Sequence, residues 1–325
     1  MREEISTYLQ WIEAEIIKQN RGGTPKSLYE AQRYILALGG KRVRPLLVAL
    51  SYRLYKNDIL RIIPFAVTVE RFHNFTLIHD DIMDEAPLRR GKKTVHEKWD
   101  NSTAILAGDT MLVKVYDQFL NLEPSILTEA LTIFNAMALE VCEGQQTDME
   151  FEKINRVSEK EYINMIRQKT AVLLGFCMEF GALLAGAKKQ DQVALRELGI
   201  NIGIGFQLKD DLLDVYGNSN KVGKKLGGDI LSNKKTFLLI NALSKAKGKD
   251  KDILKTWINK KKFDSKEKVA VIKSIYDKLK IRELTEKRIS EQFDVGFRSL
   301  ESLQLDSHKK EALKKFIVGL IERQS

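Results

Sequence analysis

Phe72-His73-Asn74-Phe75-Thr76-Leu77-Ile78-His79-Asp80-Asp81-Ile82-Met83-Asp84 runs from a markedly apolar lead-in straight into three carboxylates. A second stretch repeats the design, with Gly203-Ile204-Gly205-Phe206-Gln207-Leu208 leading to Asp210-Asp211-Leu212-Leu213-Asp214. On a helix, residues four apart stack on one face, so Asp80 pairs with Asp84 and Asp210 with Asp214. Carboxylates held so close repel one another and want a cation. Ligand sets made of carboxylate oxygens favour Mg²⁺, which keeps waters and bridges to phosphates. One DDxxD has a chance expectation of about 0.06 in a chain of this length, and two about 0.002. An exposed acidic helix face accounts for one cluster but poorly for both. Acidic groups that close two apolar helices point into a cleft rather than to bulk water.

Outward from these clusters the 3.6-residue period dominates and strand-like alternation is hard to find. It predicts helices over 3–20, 25–38, 43–56, 59–84, 101–121, 124–150, 159–187, 190–216, 232–247 and 251–262, with three more between about 265 and 324. Proline breaks helix interiors, and the chain has only five; Pro64, Pro87 and Pro124 fall where helices would turn. Gly22-Gly23, Gly39-Gly40, Pro87 to Gly91 and Gly217 to Gly228 read as loops. No low-complexity linker or short repeat divides the 325 residues. The expectation is an all-α fold, one domain over 1–325.

Cys142 and Cys177 sit among apolar residues and read as small buried hydrophobes of a reducing compartment. No zinc spacing occurs. The charged N-terminus lacks a signal-peptide run, and the longest apolar stretch, Ala171 to Ala187, contains Glu179 and is too short to span a bilayer. These features predict a cytoplasmic protein with no transmembrane segment. The net charge of +10 suits nucleic acid, an anionic membrane or anionic small molecules. Much of it lies between Lys245 and Lys280, which reads as a solvated helical face.

The basic residues near the clusters have the complementary chemistry. Arg89-Arg90-Gly91 follows the first cluster on a proline-containing loop. Gly40-Lys41-Arg42-Val43-Arg44-Pro45 sits at a helix start, where backbone N–H groups also favour phosphate. Lys169-Thr170 lies in a later helix, and Lys224 and Lys234 follow the second cluster. Carboxylates with scattered cations suit one metal-bridged polyphosphate and a second, metal-free one.

These strings resemble the trans-isoprenyl diphosphate synthases, or polyprenyl synthetases. The matching pieces are GGKRVRP (39–45), HNFTLIHDDIMD (73–84), LRRGKKTVH (88–96), AILAGD (104–109), QKT (168–170), GFQLKDDLLD (205–214) and the GK…GGD…K run from Gly223 to Lys234. The resemblance implies an all-α bundle around a deep central cavity. It also implies that Asp80, Asp84 and Asp210, supported by Asp81, Asp211 and Asp214, bind three Mg²⁺ that clamp an allylic diphosphate between facing helices. Arg89, Lys169, Lys224 and Lys234 would assist there. Gly40, Lys41, Arg44, His73 and Arg90 would hold isopentenyl diphosphate, with Arg42 pointing away. Lys169, Thr170 and Gln207 would line the reacting centre. Dimethylallyl, geranyl and farnesyl diphosphates are the implied co-substrates, and a homodimer the implied assembly.

Product length follows from depth along the helix. At ~1.5 Å per residue Phe75 lies about 7.5 Å below Asp80, and Phe72 about 12 Å. In the family a large residue five before the first cluster often acts as a floor, while a small one at the fourth, here Thr76, lets the chain past. The pattern resembles the geranylgeranyl type, with farnesyl diphosphate synthase as the alternative. By angle Phe72 lies nearer the Asp80 face than Phe75, so either can be the floor. A terpene cyclase would carry an Asn/Ser/Glu second motif, and a silent synthase subunit would lack aspartates. A basic all-α nucleic-acid binder leaves both acidic clusters unexplained.

Overall fold

The structure, a computed structural model, describes residues 2–217 and 227–322. Among these the chain is helical almost throughout. Ten helices run up to and include the second acidic cluster: α1 Arg2–Gln19, α2 Lys26–Ala37, α3 Val43–Arg53, α4 Ile63–Met83, α5 Val95–Lys98, α6 Asn101–Phe119, α7 Pro124–Lys153, α8 Glu159–Ile166, α9 Val172–Leu184 and α10 Lys189–Tyr216. Among the described residues six follow: α11 Gly228–Ser232, α12 Phe237–Lys245, α13 Gly248–Asn259, α14 Ser265–Lys278, α15 Ile281–Glu301 and α16 Ser307–Glu322. The three helices expected near the C-terminus are α14, α15 and α16.

Local chemistry sets the boundaries. Asp100 caps α6 by accepting from Thr103 N at 2.8 Å. Ser158 and Glu161 form a reciprocal capping box at the start of α8. Asp264 caps α14 by accepting from Glu267 N at 2.8 Å. Pro64 and Pro124 occupy first turns, where a missing N–H costs nothing.

Several expectations need correction. The helix predicted over 59–84 begins as a 3₁₀ turn, Ile59–Ile62, before α4. The single helix predicted over 159–187 is broken by a π-helical turn, Arg167–Ala171. The helix predicted over 232–247 starts at Phe237, because Asn233 adopts a left-handed conformation (φ 56°) that ends α11, and Thr236 caps afresh. The loop after Asp84 closes with a two-residue antiparallel hairpin, Leu88–Arg89 against Lys92–Lys93. Cys177 is buried but Cys142 is exposed, because its helix position faces outward. The lysine-rich segment is not wholly solvated, since Lys268 is fully buried.

The chain gathers into two compact units. The first comprises Met1–Ala136, Phe176–Arg196 and Leu305–Leu313; the second comprises Met137–Gly175, Glu197–Gln304 and Lys314–Ser325. In the first, α4 packs along α6. Its core holds a connected aromatic cluster, with Phe134 edge-on to Phe72 at 5.2 Å and to Phe176 at 5.7 Å, and Phe119 beside Phe180 at 5.4 Å. In the second, small residues let helices approach closely. A Cβ on Gly203 of α10 would meet Ala171 Cα at 2.7 Å, and one on Gly144 of α7 would meet Lys169 N at 2.3 Å. That second approach coincides with the π turn.

Candidate active site

The first acidic cluster closes α4. Asp84 sits just past its end and donates its N–H to Asp80 O at 2.9 Å. Asp84 is exposed and Asp80 half-buried. Asp81 is different, with its side chain only 1 % exposed. Its carboxylate accepts from Arg89 Nε at 2.8 and 2.9 Å, and Arg89 Nη2 lies 2.7 Å away. Burial raises the Asp81 carboxyl above its usual range, against the pull of Arg89. Arg89 also reaches Asp80 Oδ2 at 3.5 Å. The hairpin therefore brings Arg89 back onto the cluster it follows.

The second cluster lies in the last turns of α10 and is built alike. Asp210 is exposed. Asp211 is buried, accepting from Tyr162 Oη and from Gln207 Nε2 at 3.2 Å. Burial pushes its carboxyl up to about 7, against those hydrogen bonds. Asp214 Oδ2 accepts from Asp229 N at 3.0 Å, and Asp214 O accepts from Gly227 N at 2.7 Å. Lys169 Nζ pairs with Asp148 at 2.7 Å, on the π turn that also carries Thr170. Gln207 gives its amide N–H to Asp211, which turns its carbonyl oxygen away from that carboxylate. Lys234 is exposed and near enough to Asp211 to pull on its titration. Lys224, the fourth cation expected here, lies outside the described residues.

The expected metal fits this donor set. Among the described residues no three His, Cys, Asp or Glu side chains already form a ligand group. Asp81 and Asp211 are buried against protein partners, while Asp80 with Asp84, and Asp210 with Asp214, stand four residues apart as the more solvent-facing carboxylates of each cluster. Mg²⁺ is commonly held by one or two carboxylates with waters and substrate phosphate completing its shell.

One assembled site is a cavity of about 290 Å³ lined by Gly40, Lys41, Arg42, Val43, Arg44, Glu70, His73 and Arg90. All five residues expected to hold isopentenyl diphosphate are among them. Arg44 Nε is sealed from solvent without a hydrogen-bond partner, and burial lowers the guanidinium's pKa. Burial, then the charges of Arg44 and Arg90, hold His73 well below the usual imidazole range, so it is neutral. Gly40 approaches Arg90 so closely that a Cβ there would lie 3.1 Å from Arg90 Nη1. Arg42 lines the wall, but its guanidinium is spent on Glu13 at 2.7 Å, Glu70 at 2.9 Å and Leu36 O at 2.8 Å.

Phe72 is buried in the aromatic cluster, whereas Phe75 is half-buried, edge-on to His79 at 4.8 Å. Thr76 Oγ1 is satisfied within its own helix by His73 O at 2.8 Å. Sequence reasoning missed Glu70, Asp148, Tyr162 and Asp229. Glu70 had a signal, being an isolated acid on an apolar helix three residues before His73. Asp229 lay inside the quoted GGD string without a role. Nothing in the sequence marked Tyr162 or Asp148.

The described residues thus combine an almost wholly helical fold, two acidic helix ends and an arginine-lined cavity. The chain belongs to the polyprenyl synthetase family, whose model matches residues 25–279, and its fold is the all-α isoprenoid synthase fold. It is 40 % identical over 245 residues to the geranylgeranyl diphosphate synthase of Methanosarcina mazei, covering 75 % of this chain and 76 % of that one. It is 42 % identical over 246 residues to the short chain isoprenyl diphosphate synthase of Methanocaldococcus jannaschii, covering 75 % of each. Among solved structures, the geranylgeranyl pyrophosphate synthetase of Pyrococcus horikoshii superposes with a TM-score of 0.89 at 34 % identity, covering 97 % of both chains.

Proposed function

We propose that this chain is a Mg²⁺-dependent prenyltransferase that condenses isopentenyl diphosphate head to tail (1′-4) with allylic diphosphates, ending at geranylgeranyl diphosphate. The observation that carries this reading is the cavity in which Gly40, Lys41, Arg44, His73 and Arg90 converge. Its cations and neutral imidazole suit a diphosphate bound without metal. Asp80, Asp84, Asp210 and Asp214 would hold three Mg²⁺, with Asp81 and Asp211 supporting them from behind. Bound Mg²⁺ supplies the positive charge that stabilises a departing allylic diphosphate.

The chain's own residues do the rest. Lys169, Lys224, Lys234 and Arg89 add cationic charge around that leaving group. Lys41, Arg44 and Arg90 fix isopentenyl diphosphate so that its double bond attacks C1 of the allylic cation. A proton then leaves the isopentenyl unit, with the released diphosphate as base. Thr170 and the Gln207 carbonyl face the cation with oxygens less able to trap it than a carboxylate. Phe75 is the floor that ends elongation, and its partial exposure supports it over the core-bound Phe72. We assign one catalytic domain over 1–325, in the cytoplasm, with no nucleic-acid partner.

A homodimer fits two further features. Ile105, Leu106, Val113, Tyr116 and Leu120 of the α6 segment are exposed. Among the described helices, α7 alone is long and apolar enough to cross a membrane by length and composition, and only 22 % of its most apolar window is buried. A second copy would cover such faces.

The test is to incubate purified protein with Mg²⁺, labelled isopentenyl diphosphate and, separately, dimethylallyl, geranyl and farnesyl diphosphates. A Mg²⁺-dependent ladder ending at twenty carbons is expected. One ending at fifteen corrects the product, and none with any primer from folded, metal-loaded protein overturns the reading.

A further inference from the structure

Lys268 stands apart from the lysine-rich segment around it. Every other lysine between 245 and 280 is exposed or half-buried. Lys268, on α14, is fully buried. Its ammonium donates to Leu231 O at 3.1 Å and to Asn233 Oδ1 at 2.8 Å, and lies 4.2 Å from the centre of the Phe263 ring. A carbonyl, an amide and a ring are neutral partners, so burying an ammonium there opposes folding. A methionine would fill the same space without that cost. The cation is therefore spent on holding the oxygens it reaches.

Those oxygens belong to the turn beside the second acidic cluster. Leu231 lies in the last turn of α11, and Asn233 is its left-handed terminus. Asn233 is fixed from its other side as well, donating Nδ2 to Ile258 O at 3.1 Å. The same turn presents the Gly227 and Asp229 N–H groups to Asp214, and Lys234 N donates to Asp229 O at 2.9 Å. Gly227 seats on Val269, the neighbour of Lys268, where a Cβ would come within 2.7 Å. Lys268 and Val269 of α14 thus support the turn whose N–H groups reach Asp214 and which leads into Lys234.

We propose that Lys268 is a positioning residue for allylic-diphosphate binding, pinning the 227–236 turn so that Asp214 and Lys234 keep their places. This rests on the function proposed above. Isopentenyl diphosphate, assigned to the Arg44 and Arg90 cavity, makes no use of the turn.

The test compares wild type, Lys268→Met, Lys268→Arg and Asn233→Gly in the full chain. Glycine keeps the left-handed backbone while deleting the amide that Lys268 grips. Lys268→Met is expected to raise KM for the allylic diphosphate about tenfold, the effect of one lost charge-assisted hydrogen bond, and to leave KM for isopentenyl diphosphate within about twofold. Lys268→Arg should recover part of that loss, and Asn233→Gly should show the same split. Amide hydrogen exchange in 227–236 should accelerate while α12 stays protected. Equal changes in both KM values, or none in either, overturn the proposal. If Lys268→Met does not fold, Asn233→Gly decides. If wild type makes no product, the function fails instead, and the exchange arm still decides whether Lys268 pins the turn.

Discussion

Replacing Gly144 with alanine tests whether the π turn at 167–171 is set by how closely α7 approaches it. The added Cβ would lie 2.3 Å from Lys169 N and 2.8 Å from Gln168 C, both backbone atoms that cannot rotate aside. Relief to the 3.4 Å of ordinary contact requires a retreat of about 1 Å. Alanine gains about 1 kcal/mol of helix propensity over glycine. Overpacking costs about 1–3 kcal/mol, so the net destabilisation is between about 0 and 2 kcal/mol. Activity should suffer more than stability, because Lys169 and Thr170 ride on the displaced backbone. A misplacement of about 1 Å costs on the order of 100-fold in rate, or about 2.7 kcal/mol of barrier. The assay is kcat/KM for labelled isopentenyl diphosphate incorporation, with thermal melts on the same samples. Gly319→Ala is the control, since a Cβ there meets nothing within 4 Å, and it should stabilise by about 0.5–1 kcal/mol. The reasoning is refuted if Gly144→Ala keeps wild-type kcat/KM and melts higher, as the control does.

Three further outcomes are expected. Arg89→Gln strands the buried Asp81 charge and should cost about 3 kcal/mol in chemical denaturation, with the double variant Arg89→Gln/Asp81→Asn recovering more than half; no recovery would show that Arg89 acts elsewhere. His73 is held well below 6.5, so as pH falls through that value the unfolded chain takes a proton the native state refuses, and stability drops by up to about 1.4 kcal/mol per pH unit. Urea melts at pH 7.5 and 5.5 should therefore show a larger loss for wild type than for His73→Gln, and equal losses would contradict a neutral His73. Phe75→Ala should lengthen the product beyond twenty carbons, while Phe72→Ala should lower stability by about 3–5 kcal/mol through its aromatic cluster; an unchanged chromatogram for the first would move the floor elsewhere.

Where a helical stripe or a doubled acid carries the information, the sequence was legible. The apolar lead-ins before Asp80 and Asp210 do form long helices that end in acids, and the Gly40-to-Arg90 set converges on one cavity. What stayed hidden depends on partners far along the chain. The π turn inserts its extra residue at the edge of the largely apolar run from Ala171, where a change of phase leaves no mark in the pattern. Tyr162 meets Asp211 and Lys268 meets Leu231 only after folding, and composition cannot single out one lysine among its neighbours. Asn233 could have been suspected, since asparagine tolerates the left-handed region, but helical periodicity from 232 onward outweighed it.

The two acidic clusters share a position whose electrostatics reach beyond their side chains. Each closes a long helix at its carboxyl end, where aligned peptide dipoles place about half a negative charge. Asp80 and Asp84, and likewise Asp210 and Asp214, stand where that partial charge already repels them. The helix dipole thus opposes a carboxylate in either last turn by about 0.3–1 kcal/mol. A divalent ion arriving there cancels backbone as well as side-chain charge. On the function proposed above, the final turns of α4 and α10 would tighten when magnesium binds.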